Sequence, residues 1–134
     1  MKMSAKSRYG LYVSVILSQN YSQAKLITST ELANTIHVGD KYLEQVLSLL
    51  KKDGIIVATR GAYGGYLLSK PPQDISVGRV LRACEDNLLI VDCIEGKCNG
   101  KHDCIPFKLF NKLYSHINAF LDNISLLQLL EEDK

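Results

Sequence analysis

The stretch TSTELANTIHVGDKYLEQVLSLLKKDGIIVATRGAYGGYLLSK, residues 28–70, decides the fold. Thr28 with Glu31 three residues on is a capping-box pair, so the first helix of the stretch is predicted over Ser29–Ile36. HVGD reads as a turn, with Gly39 suited to tight backbone geometry. Leu43, Val46, Leu47 and Leu50 then recur at helical spacing and predict a second helix over Asp40–Lys52, ended by Asp53-Gly54. IIVATRGAYGGYLLSK has a β-branched run, a Gly-rich turn and a second apolar run, which together predict a β-hairpin. Two short helices around a tight turn, followed by a basic Gly-rich hairpin, describe a winged helix-turn-helix.

On the N-terminal side, residues 4–20 place Leu11, Val13, Val15, Ile16 and Leu17 on a predicted first helix. On the C-terminal side, DISVGRVLRACE predicts a fourth helix capped by Ser76. A loop over residues 88–104 follows. Beyond Pro106, Phe107, Phe110, Leu113, Tyr114, Ile117, Leu121 and Ile124 repeat every three or four residues and predict one long amphipathic helix. At about sixteen residues it would span roughly 24 Å. One small neighbour would not cover such a stripe, so a symmetric partner is expected. The predicted fold class is mainly α with a small β-hairpin wing. A winged helix-turn-helix DNA-binding domain (1–84) precedes a cysteine-bearing sensor loop (85–105), then a dimerisation helix and C-terminal tail (106–134).

The 134 residues suffice for one core without disulfides. No apolar run reaches the roughly 18 residues of a membrane span. The start, MKMSAKSRYG, is basic but lacks the apolar region of a signal peptide, so a cytoplasmic, non-membrane protein is expected. The net charge of +2 is unevenly placed: residues 1–82 hold eleven Lys and Arg against five Asp and Glu, and residues 83–134 hold five against nine. The first part could meet a polyanion. Charge asymmetry alone fits an ordinary solvated surface equally well. No paired carboxylates, nucleophile with base, or phosphate loop in helical context is present, which argues against an enzyme.

With the apolar positions of the second helix buried, Lys41, Gln45, Ser48 and Lys52 share another face, flanked by Tyr42 and Glu44. The second helix of a helix-turn-helix enters the major groove and reads bases with its N-terminal residues. Gln45 can pair with adenine, and Glu44 can accept from cytosine while repelling phosphates, so it acts as a sequence filter. In the wing, Arg60 beside Gly61, Gly64 and Gly65 suits a narrow minor groove, and Tyr63 is assigned to the same surface. Lys6 and Arg8 are expected to contact phosphates.

DCIEGKCNGKHDC, residues 92–104, holds Cys93, Cys98 and Cys104 in a Gly-containing segment. A reducing compartment favours metal binding or redox chemistry over disulfides there. Cys84 reads as a small buried hydrophobe.

KSRYGL, DKYLEQVLSLLKKDGII, TRGAYGGYLLSKPPQDISVGRVLRACE and LIVDC together resemble the Rrf2 family of bacterial transcription regulators, over nearly the whole chain. The resemblance implies a winged-helix homodimer crossed through its long C-terminal helices and bound to a palindromic operator on double-stranded DNA. It places Tyr42, Glu44, Gln45, Arg60, Gly64 and Gly65 on the family's DNA-contacting positions. Cysteine-bearing members hold an iron–sulfur cluster on the loop before the dimerisation helix, which assigns Cys93, Cys98 and Cys104 as ligands of a 2Fe-2S cluster. Thiolates select soft metals, and the tight Cys-x-x-Cys knuckles usual for structural zinc are missing, so the cluster is favoured over zinc or bare redox thiols.

Two departures bear on this assignment. The first cysteine gap is four residues where cluster-regulating relatives have five, and Phe107 stands where they have His. Arg8 stands near the place from which the nitric-oxide-sensing branch can take a carboxylate. The fourth ligand is therefore open. His102 is the candidate, with Asp92 and Asp103 adjacent to cysteines and His116 too distant. The resulting reading is a regulator sensing iron–sulfur, redox or nitric oxide status. The alternative is a cluster-free regulator of cysteine metabolism or a thiol-based redox sensor. Phe110, Leu113, Tyr114, Ile117 and Leu121 are expected at the dimer interface.

Overall fold

The computed structural model describes residues 3–85, 88, 94 and 104–132. Helix α1 (Ala5–Gln19) is followed by α2 (Ser29–Ile36), α3 (Asp40–Lys52), strands β1 (Ile56–Thr59) and β2 (Gly65–Leu68), α4 (Val77–Cys84), α5 (Ile105–Asp122) and α6 (Leu126–Glu132). The architecture is mainly helical with one antiparallel hairpin, pairing Ile56 with Leu68 through to Thr59 with Gly65. The hairpin is anchored along β2, where Ile27 and Tyr66 exchange backbone hydrogen bonds of 3.2 and 2.8 Å.

Local chemistry sets the helix starts. The Ser4 hydroxyl accepts from the Ser7 N–H, Thr28 and Glu31 form the reciprocal capping box, and the Ser76 hydroxyl accepts from the Arg79 N–H at 3.1 Å. The turn between α2 and α3 differs from expectation. Gly39 is extended (φ −67°, ψ 147°) as the N-cap of α3, and His37 takes the left-handed position at φ 61°. A side chain at that φ costs about 1 kcal/mol or more. His37→Gly is therefore expected to stabilise the fold by about 1 kcal/mol, read as a higher urea midpoint at unchanged slope and fixed protein concentration.

The core gathers Val13 and Leu17 of α1, Leu32 of α2, Leu43, Val46, Leu47 and Leu50 of α3, and Ile55 and Ile56 leading into the wing. Ile75, Val80 and Leu81 around α4 complete it, together with Leu126 from the far end of the chain. The inner face of α1 differs from its apolar count. It buries Ser7, Gly10, Ser14 and Ser18 beside Val13 and Leu17. Ser14 and Ser18 donate to the carbonyls four residues back at 2.8 and 2.7 Å, so no buried hydroxyl is left unpaired there. Small side chains bring α4 close: a Cβ on Gly10 would overlap the Cys84 sulfur.

The C-terminal part departs furthest from its sequence pattern. Helix α5 ends at Asp122, so Ile124 is not on its stripe. Residues 124–126 instead bridge back to 75–77: Val77 donates to the Ile124 carbonyl and Leu126 donates to the Ile75 carbonyl, at 2.8 and 2.9 Å. This turn lets α6 return Leu126 to the core, fully buried. The guanidinium of Arg82 on α4 holds the end of α5 by donating to the Asp122 carboxylate and the Asn118 side-chain oxygen.

Candidate nucleic-acid interface and cysteine segment

Helix α3 turns Leu43, Val46, Leu47 and Leu50 inward, so Lys41, Glu44, Gln45 and Ser48 face out. These four, with Leu49 and Lys6 from α1, line one shallow depression of about 620 Å³. Sequence expectation for Lys6, Lys41, Glu44 and Gln45 therefore converges on one surface. Arg8 is exposed two residues further along α1, about 200° around the helix from Lys6. Tyr42 is half-buried, and its ring meets Tyr9 of α1 edge-on at 5.6 Å. That contact fixes the N-terminal end of α3 against α1, a role invisible in the sequence because Tyr9 and Tyr42 are neighbours only in the fold.

The wing tip is built by close backbone approach. The Gly64 N–H donates to the Gly61 carbonyl at 3.0 Å. A Cβ on Gly64 would overlap the Thr59 carbonyl oxygen, and one on Gly65 would come within 2.9 Å of the Ile27 carbonyl oxygen. Arg60 is exposed at the end of β1, and Tyr63 is 94% exposed at the tip.

A hydrogen bond joins α4 to the start of α1: the Ser4 N–H donates to the Glu85 carboxylate at 2.6 Å. Burial raises the Glu85 pKa, but hydrogen bonds from Ser4 and Ser7 outweigh it and leave the carboxyl below its usual value. Ser4, Lys6, Tyr42, Leu49, Cys84 and Glu85 line one further depression between α1, α3 and α4.

The cysteines separate into two kinds. Cys84 is buried, and its thiol is pushed up to about 11, mainly by burial and then by the charges of Glu85 and Asp53. Its thiolate is therefore scarce at neutral pH. Cys104 is half-buried at the N-cap of α5, and its side chain makes no capping hydrogen bond. Cys93, Cys98 and His102 lie outside the described residues, as do Asp92 and Asp103. Among the described residues no three His, Cys, Asp or Glu side chains gather into a metal site. His116 is exposed on α5.

Helix α5 meets its own domain through polar side chains, Asn118 and Asp122, with Leu121 alongside. Its other apolar residues fall into an exposed set and a half-buried set. Ile105, Leu109 and Phe120 are 78%, 63% and 65% exposed, Leu113 is exposed, and Phe107, Phe110, Tyr114 and Ile117 are half-buried. The outward arc is thus wider than the stripe read from sequence, which omitted Ile105, Leu109 and Phe120. At 100° per residue these three extend the same side, a signal that the three-and-four spacing count passed over. No helix among the described residues is long and apolar enough to cross a membrane.

The Rrf2 family model, described as an iron-dependent transcriptional regulator, matches residues 3–132. The HTH-type transcriptional regulator IscR of Escherichia coli is 30% identical over 135 residues, covering 100% of this chain and 83% of that protein. Among solved structures, CymR (YrzC), the global cysteine regulator of B. subtilis, superposes with a TM-score of 0.83 at 29% identity, covering 98% of each chain. T. potens IscR superposes with a TM-score of 0.81 at 28% identity, covering 100% of this chain and 89% of that one.

Proposed function

Because the chain belongs to the Rrf2 family of transcriptional regulators, we propose that it binds a palindromic operator as a homodimer and responds to an iron–sulfur cluster, of 2Fe-2S type, held by Cys93, Cys98 and Cys104. The recognition surface is Lys41, Tyr42, Glu44 and Gln45 of α3, with Lys6 and Arg8 on phosphates and Arg60, Tyr63, Gly64 and Gly65 at the wing. The dimer forms through the outward arc of α5, centred on Phe110, Leu113, Tyr114, Ile117 and Leu121. The protein works in the cytoplasm.

The observation behind the cluster reading is the place of Cys104. It opens the first turn of α5, so the thiol-bearing segment is joined directly to the helix that carries the apolar arc. Three thiolates are a donor set that suits iron–sulfur chemistry, and the family's description as iron-dependent agrees with it. A bound cluster would supply a centre sensitive to iron supply, oxidation and nitric oxide. The residues around it would do the transmitting. Ligation through Cys104 would fix the start of α5, and the Arg82 contacts with Asn118 and Asp122 would pass its direction to α4. The spacing of the two α3 helices in the dimer follows from that direction.

A second reading is supported by the likeness to CymR and by Phe107 at the position where cluster-regulating relatives have His. In it the protein is cluster-free and regulates cysteine metabolism, through thiol oxidation or a partner enzyme. An absorption spectrum of protein purified without air distinguishes the two: visible iron–sulfur bands support the first, and their absence in iron-replete cells supports the second.

The DNA surface has its own test. With a duplex recovered by in vitro selection, Gln45→Ala and Arg60→Ala should each weaken specific binding by about 1–3 kcal/mol. Lys6→Ala or Arg8→Ala should weaken all duplexes about equally and flatten the salt dependence. Binding that survives both Gln45→Ala and Arg60→Ala unchanged would remove this surface from consideration.

A further inference from the structure

Tyr63 is the most exposed large hydrophobic side chain of the described residues, at 94%, and it stands at the tip of the wing. An aromatic ring in water stabilises nothing in its own fold. Its support is nonetheless rigid. The 60–64 turn closes two paired strands, the Gly64 N–H is bonded to the Gly61 carbonyl, and there is no room for a side chain at Gly64. Arg60 is exposed beside it, within the basic half of the chain. A thin, stiff, cationic tip carrying one bare ring fits a narrow groove in which a flat π-face can lean on sugar or base.

We propose that Tyr63 is a specificity-determining residue that reads DNA by deformability. Its ring presses into the minor groove beyond the bases reached by α3 and favours sites with an easily opened pyrimidine–purine step at that place. This rests on the operator reading above and deepens it. Arg60 supplies attraction without distinguishing one flexible step from another, because a cation senses groove width and potential. A ring that must partly unstack a step to be covered senses how readily the step opens, and TA and CA/TG steps open most easily. The tyrosine hydroxyl has no part in this, so the phenyl ring alone should suffice.

The experiment is in vitro selection from a random duplex library with wild type, Tyr63→Phe and Tyr63→Ala, followed by affinities on the recovered sites. Wild type and Tyr63→Phe should enrich a pyrimidine–purine step at a fixed distance outside the inner bases. Tyr63→Ala should keep the inner bases, lose the outer step and bind the wild-type site about tenfold more weakly. 2-Aminopurine placed at that step should brighten on binding of the two aromatic proteins and stay dark with Tyr63→Ala. Identical outer preferences for wild type and Tyr63→Ala, or equal affinities, would overturn the proposal. If none of the three proteins enriches any sequence, the operator reading itself fails, and this proposal with it.

Discussion

A glutamate in place of Ile117 is expected to leave a folded monomer that has lost nearly all affinity for its operator. Ile117 is half-buried on α5 between Leu113 and Leu121, outside the core that holds the winged helix together. The single chain can therefore tolerate the carboxylate. A dimer cannot: packed against a second α5, the charge would lose water without gaining a partner, at a cost of several kcal/mol. Operator binding should fall further than any single DNA contact can explain. Two linked reading heads gain about a hundredfold to ten-thousandfold from binding together, and a monomer forfeits that. Light scattering at micromolar concentration reads the assembly, and circular dichroism reads the fold. Wild-type protein that scatters as a monomer would refute the dimer, as would a dimeric Ile117→Glu.

The second large effect concerns the thiols. Each of Cys93→Ala, Cys98→Ala and Cys104→Ala should abolish the visible absorbance of anaerobically purified protein, because a cluster short of two ligands is not retained. Cys84→Ala should keep it, and Cys84 should stay unlabelled by alkylating reagents while the protein is folded, since burial holds its thiol protonated. The fourth ligand is open in the sequence, and a weakly held position makes a labile cluster. Bleaching in air should be fast in wild type. If His102→Ala bleaches at once, His102 is the missing ligand; a wild-type cluster stable for days in air would contradict lability. A colourless wild type would leave the cysteine-metabolism reading in possession.

Much of the fold is legible in the sequence alone. The helix-turn-helix, the hairpin and the fourth helix follow from signals that act over three or four residues: the Thr28–Glu31 box, the apolar period of α3, the glycines of the wing and the Ser76 cap. What escaped was set by contacts between distant segments. The inner face of α1 is two-thirds serine and glycine because α4 must come close, and an apolar count along the helix does not register that demand. The turn geometry went to His37 in place of Gly39, since α2 extends to Ile36 and the next residue must reverse the chain. The end of α5 at Asp122 is hidden in the sequence because Ile124 keeps the helical period by chance. Its backbone is claimed by Val77, some forty-seven residues away in sequence. The exposed set Lys41, Glu44, Gln45 and Ser48 was legible, since these residues share the outer side of one helix. The tie between Glu85 and Ser4 was not, because it joins opposite ends of the domain.

The meeting of Gly10 with Cys84 has a consequence for descent. The sulfur occupies the space that any side chain at position 10 would need, so neither position can change freely. A methyl group at 10 is admissible once 84 has shrunk to alanine or glycine, and leucine at 84 is barred while the two helices keep their crossing. Lineages that add a side chain at 10 should therefore have lost bulk at 84 first. The same holds for Gly78, whose missing side chain leaves room for Asp122. In divergent copies of this protein, bulk at one member of either pair should go with its loss at the other.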